Sequence, residues 1–222
     1  MAGNTTGQRA VEAALVLFSQ KGLTGVSMGD IAGALGIKAP SLYKYFKGKE
    51  ELCDQALGLL RTQADQRQAA LARQLDRLER DLQALGLLSA ERLEQETLAW
   101  VEPALNDANA RTYRRILTLE QFTSTEAARE CRARLYEDYV RLHAQLFDRL
   151  ISHGVLRRGD SQVMAQQFVA PIAQIIAACD AQDDSRDLRL EELRRHIRHF
   201  HRVYAVRERQ PQPSPTPRFF RR

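Results

Sequence analysis

The chain has 222 residues, of which 44% are hydrophobic and 27% are charged, a balance typical of one or two soluble globular domains. The N-terminus is polar, and no run of about 18 uncharged apolar residues is evident, so we expect neither a signal peptide nor a transmembrane helix. The three cysteines, Cys53, Cys131 and Cys179, lie far apart. They predict no disulfide framework and favour a reducing cytoplasm.

The formal charge of +5 is unevenly distributed along the chain. Residues 1–50 contain six basic and three acidic side chains, a net charge of +3, and include all five lysines. Residues 51–206 have a net charge of −2, and residues 207–222 have a net charge of +4. A basic end on a nearly neutral body is typical of a polyanion-binding module on a larger scaffold.

The first fifty residues have the apolar periodicity of three short helices. Gly22 is expected to end the first helix, and Ser27 to cap the second. Gly36 provides a turn before a third helix, which is expected from about Ala39 to Phe46. The second helix, this turn and the third helix together predict a helix-turn-helix. The inner faces are predicted to be core without a binding role: Leu15, Phe18, Ile31, Leu35, Leu42 and Phe46.

Helical periodicity continues to residue 206, and no alternating strand pattern appears. The sequence therefore predicts an all-α protein with a helix-turn-helix domain at 1–50, a helical effector-binding and dimerisation domain at 51–206, and a disordered proline- and arginine-rich tail at 207–222. Pro103 and Pro171 are expected to bend their helices. The further helices are predicted at 49–85, 89–108, 111–122, 125–153, 161–179 and 188–206, with a polar linker at 180–187.

The stretch from Ala14 to Leu52 closely resembles the DNA-binding domain of TetR/AcrR-family transcriptional regulators. The resemblance covers about a fifth of the chain. It implies a homodimer on a near-palindromic operator, with one recognition helix in each major groove. The matching residues are Leu17, Phe18, Gly22, Ser27, Asp30, Ile31, Ala32, Gly36, Ile37, Leu42, Tyr43, Phe46, Lys49 and Leu52.

The resemblance also implies which side chains contact double-stranded DNA. Tyr43 and Lys49 match positions that grip phosphates, and Ser27 matches a position where a helix N-terminus meets phosphate. The full predicted set is Ser27, Lys38, Ala39, Pro40, Ser41, Tyr43, Lys44, Tyr45 and Lys49.

Within that set, Pro40 is suited to a thymine methyl group, and Ser41 or Lys44 to base edges. Two positions depart from the family pattern. Lys38 stands where a small hydroxyl residue is usual, and Tyr45 stands where histidine is common. Both departures leave the fold intact and bear on base preference.

In this family, effectors usually lie among the central helices of the C-terminal domain. The mixture of aromatic and polar side chains there favours an apolar or aromatic small molecule, and the alternative is that each residue is ordinary core. The candidate cavity residues are Trp100, Leu105, Leu117, Phe122, Tyr139, His143, Phe147, Phe168 and Ile172.

The last two helices carry apolar stripes that the resemblance assigns to a dimeric four-helix bundle. The alternative is packing within one subunit. The candidate interface residues are Met164, Ile175, Leu193, Ile197, Phe200 and Tyr204.

The remaining histidines, cysteines and tail arginines predict neither a metal site nor a catalytic site. His196 and His199 share a helix face, but no cysteine or carboxylate set completes a metal site there, so no metal or cofactor is expected. The cysteines are interpreted as inert thiols. The arginines of the tail are interpreted as a solvated end, with DNA or partner contact as the alternative. No nucleophile elbow, P-loop, GxGxxG or HExxH motif is present, so the chain is not expected to be an enzyme.

The sequence thus predicts a cytoplasmic, homodimeric, DNA-binding repressor that a small-molecule effector releases from its operator. The first alternative is a DNA-binding regulator without a small-molecule ligand. The second is a helical binding protein that has lost DNA binding.

Overall fold

The structure, a computed structural model, describes residues 5–181 and 186–206. The tail at 207–222 and residues 182–185 of the predicted linker lie outside this described part. Its secondary structure is helical, in agreement with the predicted all-α class. The elements are α1 (Thr6–Lys21), α2 (Met28–Ala34), a 3-10 helix (Ala39–Lys44), α3 (Lys49–Leu85), α4 (Ala90–Asn106), α5 (Ala108–Glu120), α6 (Thr125–Arg132), a π-helical segment (Ala133–Glu137), α7 (Asp138–Ser152), α8 (Ser161–Ala181) and α9 (Arg186–Tyr204).

Side-chain caps define the first two helices. The Thr5 hydroxyl accepts the Gln8 N–H at the start of α1, and Gly22, at a positive φ of 72°, ends that helix. The Ser27 hydroxyl accepts the Asp30 N–H at 3.1 Å, while the Asp30 carboxylate accepts the Ser27 N–H at 2.7 Å. These reciprocal bonds satisfy amide donors that a helix N-terminus otherwise leaves unpaired.

Three predicted helices differ from those observed. The third helix ends at Lys44 rather than Phe46 and is a 3-10 helix, for which Lys38 provides no side-chain cap. The helix predicted to reach residue 108 ends earlier because Asp107 caps α5 instead. The long helix predicted over 125–153 contains the π-helical segment. Pro171 lies inside α8, which continues past it to Ala181.

The side chains pack into two hydrophobic cores. The first joins the helix-turn-helix to α5 and to the first turns of α3, and the second lies among α3, α4, α7, α8 and α9. Because α3 contributes to both, the predicted boundary at residue 50 falls at the start of a shared helix. The contributions of α3 and α5 to the first core are Leu52, Ala56, Leu60, Tyr113, Ile116 and Leu117.

Helix α8 contains no charged residue before Asp180. By length and composition alone, with a mean hydropathy of 1.2, it could cross a membrane. Phe168 and Ile172 are nevertheless buried inside the subunit, and its exposed face carries Gln166, Gln167 and Gln174. Amide side chains are costly against lipid, so we interpret α8 as a core helix.

A run of aromatic contacts fills the second core and includes His143. The His143 ring lies 5.8 Å from the Trp100 ring and 5.2 Å from the Phe168 ring, measured between centroids. Its Nδ1 lies 2.8 Å from the Tyr139 carbonyl oxygen, which can only accept, so Nδ1 carries the hydrogen. Burial lowers the pKa of His143 to about 4.

We expect His143 to make folding sensitive to acid. Between its folded pKa of about 4 and the ordinary histidine value near 6.5, the unfolded chain binds a proton that the folded chain does not. Stability therefore falls as pH decreases through this window, by about 2 kcal/mol between pH 7 and pH 5. His143→Phe should remove that part of the loss. The check is urea unfolding at both pH values and one protein concentration.

The exposed His199 provides the matched control. His199→Phe should retain the full pH dependence of the wild type. If His143→Phe loses as much stability between pH 7 and pH 5 as the wild type does, the buried neutral imidazole is not the cause.

Candidate nucleic-acid interface and ligand cavity

Six of the nine predicted DNA-binding residues are exposed to solvent. Leu42 is fully buried and anchors the 3-10 helix, so the side chains beside it project outward. Tyr43 and Tyr45 are 55% and 48% exposed, although both are aromatic. Lys38, Pro40 and Lys44 are exposed, as is Ser27, whereas Ala39, Ser41 and Lys49 are partly buried.

Tyr45 also has a structural role that the sequence did not indicate. A Cβ atom added at Gly7 would lie 3.5 Å from Cδ1 of Tyr45. The Tyr45 ring therefore packs against the first turn of α1. This contact orients an aromatic side chain whose remaining surface faces solvent.

The N-terminus of α2 carries a carboxylate beside its cap. Hydrogen bonds from the Ser27 hydroxyl and then from its amide lower the pKa of Asp30, and the charges of Lys21 and Lys49 contribute further. The Ser27 hydroxyl donates to Asp30 Oδ2 at 2.5 Å. Both Ser27 donors are thus engaged in this structure, so a phosphate at this predicted site must compete with Asp30.

A hydrogen bond joins the helix-turn-helix to the C-terminal end of α5. The Leu23 N–H donates to Glu120 Oε1 at 2.6 Å, and the Glu120 side chain is buried. A Cβ atom at Gly22 would lie only 2.9 Å from the same oxygen. The close approach requires glycine at this position, in addition to the positive φ.

A cavity of about 740 Å³ lies among α3, α4, α5, α7 and α8. Of the nine predicted cavity residues, only Trp100, Tyr139 and Ile172 line it. Phe122 is 89% exposed on the turn after α5. The other five predicted residues pack in the two cores instead: Leu105, Leu117, His143, Phe147 and Phe168.

Charged side chains line the cavity where the sequence predicted apolar ones. Arg114 pairs with Asp180 through two bonds, Nε to Oδ2 at 2.6 Å and Nη2 to Oδ1 at 2.8 Å. Arg67 and Arg134 also line it, and each pairs with an aspartate of another helical element. The periodicity of apolar residues does not reveal these ion pairs, because the paired residues lie far apart in the sequence.

The predicted dimer stripe lies inside the subunit. Met164, Ile175, Leu193, Ile197 and Phe200 are buried in the second core, so their side chains are unavailable to a second subunit. Tyr204 is partly buried and donates a hydrogen bond to Gln167. The structure thus supports the alternative of packing within one subunit for these residues.

The histidines and cysteines of the C-terminal region have structural surroundings. His196 Nε2 lies 2.9 Å from the Phe168 carbonyl oxygen, and His201 Nε2 lies 2.7 Å from that of Leu88. Burial raises the pKa of Cys53 and of Cys131, which keeps both thiols protonated. Over residues 5–181 and 186–206, no three His, Cys, Asp or Glu side chains are grouped so as to hold a metal ion.

Comparison with known proteins gives matches over the N-terminal domain. Residues 10–56 match the family model for bacterial regulatory proteins of the tetR family. The HTH-type transcriptional repressor BdcR of Escherichia coli strain K12 is 44% identical over 50 residues, which are 22% of this chain and 25% of that protein. The match thus spans about a quarter of the relative's length.

Solved structures are similar over nearly the whole chain. One from Mesorhizobium loti MAFF303099, assigned to the TetR family, has a TM-score of 0.62 and 20% identity, covering 90% of this chain and 96% of that one. SmeT, the repressor of the Stenotrophomonas maltophilia multidrug efflux pump SmeDEF, has a TM-score of 0.56 and 17% identity, covering 96% and 97%. At these identities the likeness establishes the fold.

Replacing Gly22 should destabilise the protein where the helix-turn-helix packs against α5. Gly22→Ala places a side chain at a φ of 72° and a ψ of 171°, a region that costs about 1–3 kcal/mol for residues other than glycine. It also crowds Glu120 Oε1. We expect chemical denaturation to report a loss of this size.

Gly33→Ala is the matched control. Gly33 lies in α2, and an added Cβ atom there meets nothing within 4 Å. Alanine should therefore raise the free energy of unfolding by about 0.5–1 kcal/mol. Equal effects of the two substitutions would contradict the proposed importance of Gly22.

Proposed function

We propose that this chain, which belongs to the TetR/AcrR family of transcriptional regulators by its N-terminal domain, is a homodimeric repressor that a small molecule releases from operator DNA. The observation that carries the proposal is the match of residues 10–56 to the family, and the exposure of six of the nine predicted DNA-binding side chains is consistent with it. The family is generally not enzymatic, and we propose a cytoplasmic location.

DNA binding is supported by the charge of these side chains. Over the described residues, the ion pairs of the protein are formed by arginine and histidine, and none of the five lysines takes part in one. The ammonium groups of Lys44 and Lys49 are therefore not engaged by a described carboxylate and are available to DNA phosphates. Tyr43 offers a hydroxyl for phosphate, and we assign base contacts to Pro40 and Ser41.

Ligand release is supported by the position of α5. Tyr113, Ile116 and Leu117 pack in the first core, while Arg114, Arg115 and Thr118 line the cavity. A molecule that displaces α5 would also displace the helix-turn-helix, to which α5 is bonded through Glu120. In a dimer this would change the spacing of the two recognition helices and lower operator affinity. The cavity favours this mechanism over a regulator without a ligand.

Dimerisation is supported by the exposed face of α8. The chain is 27% charged, yet this face carries no charge, and loss of charged residues is characteristic of the centre of protein interfaces. We propose that this face, with the exposed side of α9, replaces the buried stripe as the interface. The exposed residues of α8 include Val163, Gln166, Gln167, Ala170, Gln174 and Ala177.

The DNA-binding proposal is tested with an operator selected from random duplexes by the wild-type protein. Lys49→Gln should weaken binding and make the slope of log affinity against log salt less steep, by about 0.9 per lost phosphate contact, or about 1.8 for two subunits. Tyr43→Phe should weaken binding without changing the slope, because its hydroxyl is uncharged. Fluorescence anisotropy from 50 to 300 mM salt measures both effects.

Arg73→Gln is the control, because Arg73 is exposed on the same helix as Lys49 and about 36 Å further along it. It should leave affinity and slope unchanged. Unaltered binding by both Lys49→Gln and Tyr43→Phe would favour a helical protein that has lost DNA binding. Failure of the selection to enrich a palindrome would contradict the dimeric operator.

The dimer proposal predicts that a charge on either exposed helix face favours monomers. Val163 of α8 is 43% exposed, and Val203 of α9 is 37% exposed. Val163→Glu and Val203→Glu should each raise the dimer dissociation constant more than about tenfold, since an unpaired buried carboxylate costs several kcal/mol. Sedimentation velocity checks this. Val16→Glu, at a 53% exposed position on α1, should leave the dimer intact, and a wild-type monomer would refute the interface.

A further inference from the structure

The cavity combines a wide apolar surface with arginine side chains. The rings of Trp100 and Tyr139 are stacked, with centroids 5.5 Å apart and planes 25° apart. Val169, Ile172 and Ile176 of α8 add aliphatic lining. A volume of about 740 Å³ lies within the usual range for small-molecule sites. Such a lining suits a planar, apolar body.

The carboxylates that line the cavity are already paired. Asp180 is bound by Arg114 and lies 3.8 Å from Arg111. Asp138 lies 2.5 Å from Arg141 and 3.9 Å from Arg134. An organic cation would find no carboxylate here without an arginine beside it.

Two of the arginines that line the cavity, Arg67 and Arg134, have N–H groups that are available to a ligand. Arg67 contacts Asp107 through Nη1, at 2.6 Å. Arg134 contacts Asp65 and Gln68 through Nη1, at 2.7 and 3.3 Å. For both residues, Nε and Nη2 have no partner within residues 5–181 and 186–206. Since a guanidinium carries five N–H groups, donors remain for a ligand.

Two further lining side chains have uncommitted donors. Arg115 is exposed at the edge of the cavity and forms no ion pair with any described residue. The Tyr139 hydroxyl has no hydrogen-bond partner among the described residues. Burial raises the pKa of Tyr139, and the charges of Arg114, Arg67 and Arg134 oppose that rise. The phenol thus remains a neutral donor close to three guanidinium groups.

We propose that this cavity binds a small organic monoanion, a carboxylate carried on an aromatic body. The ring stacks in the apolar part formed by Trp100 and the side chains of α8. The carboxylate accepts hydrogen bonds from the Tyr139 hydroxyl and from the free N–H groups of Arg67 and Arg134. This inference rests on the proposed function, because it names the chemical class of the effector.

Three probes that share a phenylpropyl group test the charge preference. They are 4-phenylbutyrate, 4-phenylbutyramide and trimethyl(3-phenylpropyl)ammonium. Trp100 is the only tryptophan of the chain, so its fluorescence in the full-length protein reports on the cavity. We expect 4-phenylbutyrate to change the emission and to bind more than about tenfold tighter than the amide, because hydrogen bonds to charged groups are the stronger ones. The ammonium probe should bind weakest.

The double substitution Arg67→Gln and Arg134→Gln should bring acid and amide to within about twofold of each other, while the amide retains its wild-type affinity. Arg73→Gln, on an exposed part of α3, should leave the tenfold preference intact. Because Arg67 and Arg134 also form ion pairs, Tyr139→Phe is a second variant that leaves those pairs untouched and keeps the ring beside Trp100. It should reduce the affinity for the acid more than the affinity for the amide, because the lost hydrogen bond is to a charged group.

Operator affinity without any probe is measured on the same proteins, which separates this inference from the proposed function. If the wild type binds its operator but prefers the amide or the ammonium probe, or if none of the probes changes Trp100 emission, the anion site is refuted and the regulator stands. If 4-phenylbutyrate binds selectively but no operator is found, the anion site is supported and the proposed regulatory function is refuted.

Discussion

The packing of α5 between the first core and the cavity is the constraint on which the other features depend. Ile116 and Leu117 are buried against the helix-turn-helix, and Glu120 accepts a hydrogen bond from the loop that leads into α2. Arg114, on the same helix, is held by Asp180 of α8. Since interiors are close-packed, α5 cannot shift at the cavity without disturbing its neighbours. A shift of α5 at the cavity would therefore also displace the helix-turn-helix and α8.

The two cationic residue types are used differently in the two parts of the protein. Lysine occurs only in the first 50 residues, and over the described residues it forms no ion pair. Arginine predominates in the helical body, where it makes forked pairs such as that of Arg61 with Glu130. A planar guanidinium matches a carboxylate with two parallel hydrogen bonds, whereas a lysine ammonium binds phosphate as a point charge on a flexible stem. The net charge of +5 thus combines a lysine-containing N-terminal part of +3, a body of −2 in which many arginines pair with carboxylates, and residues 207–222, which carry +4.

The N-terminal domain could be predicted from short-range sequence features, such as helix caps and breaks. The cavity could not, because its ion pairs join residues that are far apart in the sequence. The cap at Ser27 and the break at Gly22 are each set by a few neighbouring residues, and the family resemblance fixed their order. Periodicity identified the face of α8 that is buried, but it could not decide whether that face packs within one subunit or between two, because both arrangements bury the same apolar residues. The cavity arginines were missed because Arg67 and Asp107 are 40 residues apart, and Arg114 and Asp180 are 66 apart.

The bond between Arg114 and Asp180 joins the cavity to the proposed dimer interface, because Asp180 lies near the C-terminal end of α8. A carboxylate is unfavourable at that end of a helix dipole, so Asp180 depends on its arginine. An anion held by Arg67 and Arg134 would lie in the same cavity as Arg114, and its negative charge would compete with Asp180 for that guanidinium group. The strength of the bond between α5 and α8 would then depend on the ligand. Because coupling between sites is reciprocal, any factor by which the anion lowers operator affinity is also the factor by which operator DNA lowers affinity for the anion.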